Sequence, residues 1–204
     1  MEDTSFFEIR TGPTEVGWCD FSVRLGEASW NCHASYIGEH PLRNLIHSAV
    51  DLYHHIFEIP IPAKNAIWDC WTLDEPGGIV VRAIPEAQFV RVQVFQFTED
   101  QLWPDPKMPP QMAPSGDAMV DYWDYAGAVL LDASRSIARQ GITGLRNGWQ
   151  PAGWDIDFHG QILPTEHFLY LAALVSHRAP RKEMSLKEEI TILEKVAQVA
   201  LDTK

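Results

Sequence analysis

The sequence predicts an α+β fold: an antiparallel β-sheet of about six strands, with one helix after the third strand and a helical C-terminal half packed on one face. Three observations predict it. Residues 17–25 and 30–37 alternate apolar and polar side chains, the period of two that a half-buried strand requires. Residues 66–97, AIWDCWTLDEPGGIVVRAIPEAQFVRVQVFQF, read as three more short strands rich in β-branched and aromatic residues and punctuated by Pro and Gly. Residues 42–57 and much of the chain after 118 carry apolar residues at helical spacing. The economical organisation is a single α+β domain over 1–204. In it, 1–97 is mainly β with one helix, 98–117 is a Pro-rich connector, and 118–204 is mainly α with a Gly/Trp-rich loop.

Residues 6–10 form the first strand, which Gly12-Pro13 is expected to end. In the second, Cys19, Phe21, Val23 and Leu25 share one face; Trp18, Asp20, Ser22 and Arg24 share the other. After a turn at Gly26-Glu27, the third strand puts Trp30, Cys32, Ala34 and Tyr36 opposite Asn31, His33 and Ser35. Two neighbouring strands of this kind describe a sheet wet on one side. Pro41 suits the first position of a helix. Leu42, Leu45, Ile46, Ala49, Val50, Tyr53, Ile56 and Phe57 then form one stripe, which Pro60 and Pro62 stop. Buried against the sheet, each large side chain of that stripe contributes about 1.5–3 kcal/mol.

The meander turns at Glu75-Pro76-Gly77-Gly78 and near Pro85-Glu86. In its last strand Val90, Val92 and Val94 oppose Arg91 and Gln93, while Phe95 and Phe97 fall on the Arg91 side. Either a bulge shifts the phase there or the second face is partly covered. Residues 98–117 hold five prolines, Pro104, Pro106, Pro109, Pro110 and Pro114, which no helix or central strand accommodates. A connector of that length is either a surface strap or a functional loop. Residues 118–139 read as a helix capped by Ser115 or Asp117 and ended by Gly141. Residues 140–164 are irregular. Residues 165–177 are apolar on most sides, as in a buried helix, and a capping-box pattern at Ser185 and Glu188 opens a last amphipathic helix.

The 46% hydrophobic content is that of a globular protein. No apolar run reaches the ~20 residues that cross a bilayer. The acidic N-terminus lacks a basic-then-apolar signal pattern, so the expected location is the cytoplasm. Cys19, Cys32 and Cys70 have no CxxC spacing and read as buried reduced thiols. A net charge of −12 disfavours nucleic acid and anionic membrane surfaces. It favours a basic protein partner through electrostatic steering, and it also serves solubility alone.

Two clusters have the residue types of a metal or acid–base site. His47, Asp51 and His55 follow one another by single helical turns, the spacing by which a helix grips a metal; without HEXXH they read as a solvated polar helix face. Asp155, Asp157 and His159 in WDIDFHG alternate along a loop, where they either hold a divalent metal or cap local backbone. Neither nucleophile nor nucleotide-binding motifs are present: the glycines of GITGLRNG match no phosphate-binding pattern. No cofactor is called for. Of the eight Trp residues, Trp18, Trp103, Trp149 and Trp154 fall on outward phases or in loops, where aromatic residues either bind partners or cap core edges.

The run WDCWTLDEPGGIVVRAI, a strand ending in Asp-Glu-Pro-Gly followed by another strand, resembles a pattern in small uncharacterised bacterial α+β proteins, some of them of immunity-protein type. That resemblance implies a protein that binds and neutralises a toxin, and it carries over no catalytic residues. The leading expectation is therefore a non-enzymatic binding protein. Its surface is either the polar sheet face (Asp20, Ser22, Arg24, Asn31, His33, Ser35, Arg91, Gln93) or the long loops bearing Trp103, Trp149 and Trp154. The alternatives are a metal-dependent enzyme using Asp155, Asp157 and His159, and a small-molecule binder with its pocket between the sheet and the glycine-rich loop.

Overall fold

The structure, a computed structural model, describes residues 6–15, 17–35, 40–58, 67–74, 77–98, 113–149 and 164–177, together with Thr191 and Glu194. Strands β1 (Phe7–Glu15), β2 (Trp18–Leu25) and β3 (Ala28–Ser35) form one antiparallel sheet in that order. Strands β4 (Trp68–Asp74), β5 (Gly77–Glu86), β6 (Phe89–Thr98) and β7 (Gly116–Asp121) form a second, again in chain order. The helices among the described residues are α1 (Pro41–Tyr53), prolonged by a π-helical turn at His54–Glu58, α2 (Tyr122–Trp149) and α3 (Thr165–His177). Of the expected last helix only Thr191 and Glu194 are described, both helical.

The class is α+β with antiparallel sheets, but among the described residues two sheets of three and four strands replace the single sheet of about six, and the C-terminal helices do not pack on one face of a single sheet, since α2 lies along the β1 edge. The sheets meet through side chains: the Cys32 thiol donates to Thr72 Oγ1 at 3.2 Å. That hydroxyl donates on to the Ile79 carbonyl at 2.8 Å. Alternation within one strand reports which face is buried, not which strand lies alongside, so it is silent on such a seam.

Three local expectations are corrected and one turn is located. Gly12-Pro13 does not end β1; the strand continues to Glu15 past a register shift between Thr11 and Thr14. A bulge on an edge strand accommodates a residue with no N–H. The turn expected near Pro85-Glu86 falls just after it, at Ala87-Gln88, where Ala87 takes φ 55. Pro85 lies within β5 beyond Ala83, the last residue of β5 that β4 reaches, so its missing N–H removes no bond to β4. The helix expected from Ala118 starts at Tyr122, because 116–121 pair with β6 as β7. Its cap is neither Ser115 nor Asp117: Asp121 Oδ1 accepts the Trp123 N–H at 2.8 Å.

One apolar core joins both sheets and helices α1, α2 and α3. Leu42, Leu45, Ile46, Ala49 and Leu52 of α1 are fully buried in it. Hydroxyls fix α1 against α2: Tyr122 donates to the Ala49 carbonyl at 2.9 Å, and Tyr125 and Ser48 share a bond of 2.8 Å. The β5–β6 register is unbroken, yet Phe95 and Phe97 are buried on the Arg91 face with Val80, and Trp71 packs on them. The second face of that sheet is therefore covered at one end. Cys19, Cys32 and Cys70 are buried thiols outside any disulfide among the described residues; burial pushes the Cys19 thiol up, away from the reactive thiolate. None of the described helices is long and apolar enough to cross a membrane.

Candidate functional site

Strand β1 ends its sheet, so its outward backbone groups need partners from elsewhere. Helix α2 lies along that edge and supplies them. Asp132 accepts from the Thr11 N–H at 2.8 Å and from the Thr11 hydroxyl at 2.6 Å. Arg139 donates to the Thr11 carbonyl at 2.9 Å. The Gln140 amide pairs with both the N–H and the carbonyl of Thr14, each at 3.0 Å, as a neighbouring strand would. Beyond Gln140, Gly141 takes φ 66 and breaks the helix at the residue expected to end it. His40 secures the far end of the bulge. It caps α1 by accepting the Leu42 N–H on Nδ1 at 3.2 Å, which leaves the proton on Nε2, 3.3 Å from Thr14 Oγ1. Complete burial pushes its pKa down to about 3 and keeps the ring neutral.

Where α2 flanks the polar face of the first sheet there is an open cleft of about 820 Å³. One wall is the sheet, with the cross-strand pairs Ser22·Asn31 and Asp20·His33. The other is Asp132, Arg135 and Arg139 of α2, and Arg10 stands beside them. His33 Nδ1 lies 2.9 Å from Asp20 Oδ1, and the ring stacks on Trp18 with centroids 5.1 Å apart. Both side chains are exposed, 54% for His33 and 82% for Asp20. Asp132 is the opposite case. Burial pushes its carboxyl up to about 6, against the pull of the two Thr11 hydrogen bonds and of Arg139 and Arg135.

Four sequence-expected residues thus meet at one site: Asp20, Ser22, Asn31 and His33. Arg24 shares their face, its guanidinium 5.3 Å from the exposed Phe6 ring, but does not line the cleft. Ser35 was expected on the polar face and is instead 1% exposed, with no hydrogen-bond partner for its hydroxyl among the described residues. Strand alternation fails there because Ala34 and Ser35 are both buried at the end of β3. Arg91 and Gln93 sit on the second sheet and are bound to Asp117, Arg91 through two bonds of 2.8 Å and Gln93 through one of 2.9 Å. Trp103, Trp154, Asp155, Asp157 and His159 lie outside the described residues; Trp149 closes α2.

The polar face of α1 is half-exposed rather than fully solvated. His47 packs on His167 of α3 with ring centroids 4.2 Å apart, His54 stacks on Tyr170, and Asp51 accepts the Trp68 indole N–H at 3.0 Å. Helix α3 thus shields part of what two-sided amphipathicity would leave wet, and His54 stays 37% exposed. Among the described residues no cluster of three His, Cys, Asp or Glu is placed to hold a metal.

Sequence reasoning missed Asp132, Arg135 and Arg139. A signal existed: Tyr122, Tyr125, Val129 and Asp132 follow one another by single turns, so a carboxylate occupies the buried stripe of an amphipathic helix. Compared with known protein families, with curated proteins and with solved structures, the chain matches none.

Proposed function

We propose that this protein is a non-enzymatic binding domain of the interaction or immunity type, which docks a basic protein partner on the open face of its first sheet. The observation that carries the reading is the juxtaposition of the exposed Asp20–His33 pair, stacked on Trp18, with a roomy cleft next to it. Rigid strands hold these groups, and a polar surface on a fixed scaffold binds without first ordering itself. The net charge of −12 supports attraction of a basic partner.

Affinity capture from the native host, with partners identified by mass spectrometry, tests this. A stoichiometric basic protein retained by the wild type and lost on Asp20→Arg is expected. Capture of no partner, or of one indifferent to Asp20→Arg, would refute the reading.

A further inference from the structure

We propose that the cleft between the polar sheet face and α2 binds a small hydrophilic organic anion, its carboxylate or phosphate group held by Arg135. Only 16 residues of this acidic chain are Lys or Arg, and three of them, Arg10, Arg135 and Arg139, line this one cleft. Two already have partners: Arg10 pairs with Glu8 at 2.8 Å, and Arg139 spends one N–H on the Thr11 carbonyl. Arg135 is half-buried and makes no hydrogen bond or ion pair among the described residues.

Arg135 and Arg139 stand one turn apart on the same helix, a like-charge pair that disfavours the helix by a few tenths of a kcal/mol. The Asp132 carboxylate attracts both arginines through space but hydrogen-bonds neither of them. Both oxygens of Asp132 are taken by Thr11, and Asp20 faces His33. A planar, bidentate oxyanion is the group a free guanidinium fork is shaped for. Across from Arg135, the Ser22·Asn31 pair presents a hydroxyl and an amide, which suit the hydroxyl or amide groups of a hydrophilic ligand. About 820 Å³ is within the range of small-molecule sites.

This goes beyond the protein-docking reading and is tested separately from it. Inorganic phosphate and citrate serve as probes of the two anion chemistries, titrated into the full chain by calorimetry at ionic strength held constant with sodium chloride. Saturable binding of at least one probe is expected, weakened about tenfold or more by Arg135→Gln, as loss of a charge-assisted hydrogen bond implies, and unchanged by Arg24→Gln. Arg135→Lys, which keeps the charge but loses the fork, should fall between, and it serves as the second variant if Arg135→Gln fails to fold. Absence of saturable binding for both probes, or equal binding by wild type and the Arg135 variants, would overturn the proposal. A partner captured without anion binding sinks this inference alone; anion binding without a partner sinks only the docking reading.

Discussion

Asp132 of α2 holds Thr11 of β1 by two atoms at once, its carboxylate accepting both the backbone N–H and the hydroxyl across 121 positions of sequence. The contact closes a gap that a sheet edge would otherwise leave open, and it does so with a buried acid. The folded chain therefore binds a proton at Asp132 more tightly than the unfolded chain does, the group moving from 3.8 to about 6. Its contribution to stability is complete below pH 3.8 and is lost as pH rises through about 6, a loss of roughly 3 kcal/mol. Asp132→Asn keeps an acceptor for the Thr11 N–H and offers the Thr11 hydroxyl an N–H, without a charge. In urea unfolding at pH 3 to 8, the wild type minus variant difference should fall across pH 4–6. A flat difference would contradict this origin.

Gln140 acts as a surrogate strand residue for Thr14. Gln140→Ala removes both bonds and leaves two half-buried backbone groups to find water, at a cost of about 1–3 kcal/mol. Amide exchange at Thr14 should accelerate, and the bared edge should raise concentration-dependent association. Gln140→Glu keeps the acceptor and loses only the donor, so its effect should lie between. Equal exchange at Thr14 in all three proteins would show that the amide contributes nothing to the edge.

Much of the first sheet was legible because its strands bury one face only: in β2 the buried and open positions follow the apolar and polar residues one by one. The stripe of α1 was legible for the same reason at period 3.6, and Gly141 marked the helix break through its φ of 66. β7 was not legible. Ala118, Met119 and Val120 are parted from Tyr122-Trp123 by Asp121 alone, and three apolar residues so close to a helical stripe carry no period of their own. The seam between the sheets and the α2 wall of the cleft depend on residues far apart in the chain. Local pattern gives Arg135 and Arg139 a helix face but not the strand that face will meet.

Two arginine–carboxylate pairs on the second sheet separate burial from charge. Arg82 pairs with Asp69 at 2.7 Å and 2.8 Å, with side-chain exposures of 21% and 17%, and stands over the Phe95 ring. Arg91 pairs with Asp117 at similar distances but at 44% and 30% exposure. Arg91 holds the Asp117 carboxyl below its ordinary value, so this contribution is present above pH 3.8 and lost as pH falls through the lowered value. Solvent screening limits it to about 0–1 kcal/mol. Arg82→Ala strands a half-buried carboxylate and bares one edge of the Phe95 ring, and should cost about 1.5–3 kcal/mol. Chemical denaturation at pH 7 in low and high salt checks both: Arg91→Ala should lose its effect in salt, and Arg82→Ala should keep most of it.

Two glycines of the second sheet should respond differently to a single added methyl group. A Cβ at Gly116 of β7 would overlap the Trp30 ring, a half-buried side chain from the other sheet that can turn aside. A Cβ at Gly78 of β5 would overlap the Thr72 carbonyl of the adjacent strand as well as the Phe97 ring, and a laddered carbonyl cannot turn without breaking its pairing. Overpacking costs about 1–3 kcal/mol where neighbours yield and more where they do not. Gly78→Ala should therefore destabilise more than Gly116→Ala. Trp30→Phe, by vacating the space above β7, should recover most of the loss from Gly116→Ala. Phe97→Leu should recover little of the loss from Gly78→Ala, because the carbonyl stays where it is. Urea unfolding of the two double variants against their parents decides it: rescue of Gly78→Ala by Phe97→Leu would mean that the aromatic ring, not the backbone, forbids a side chain there.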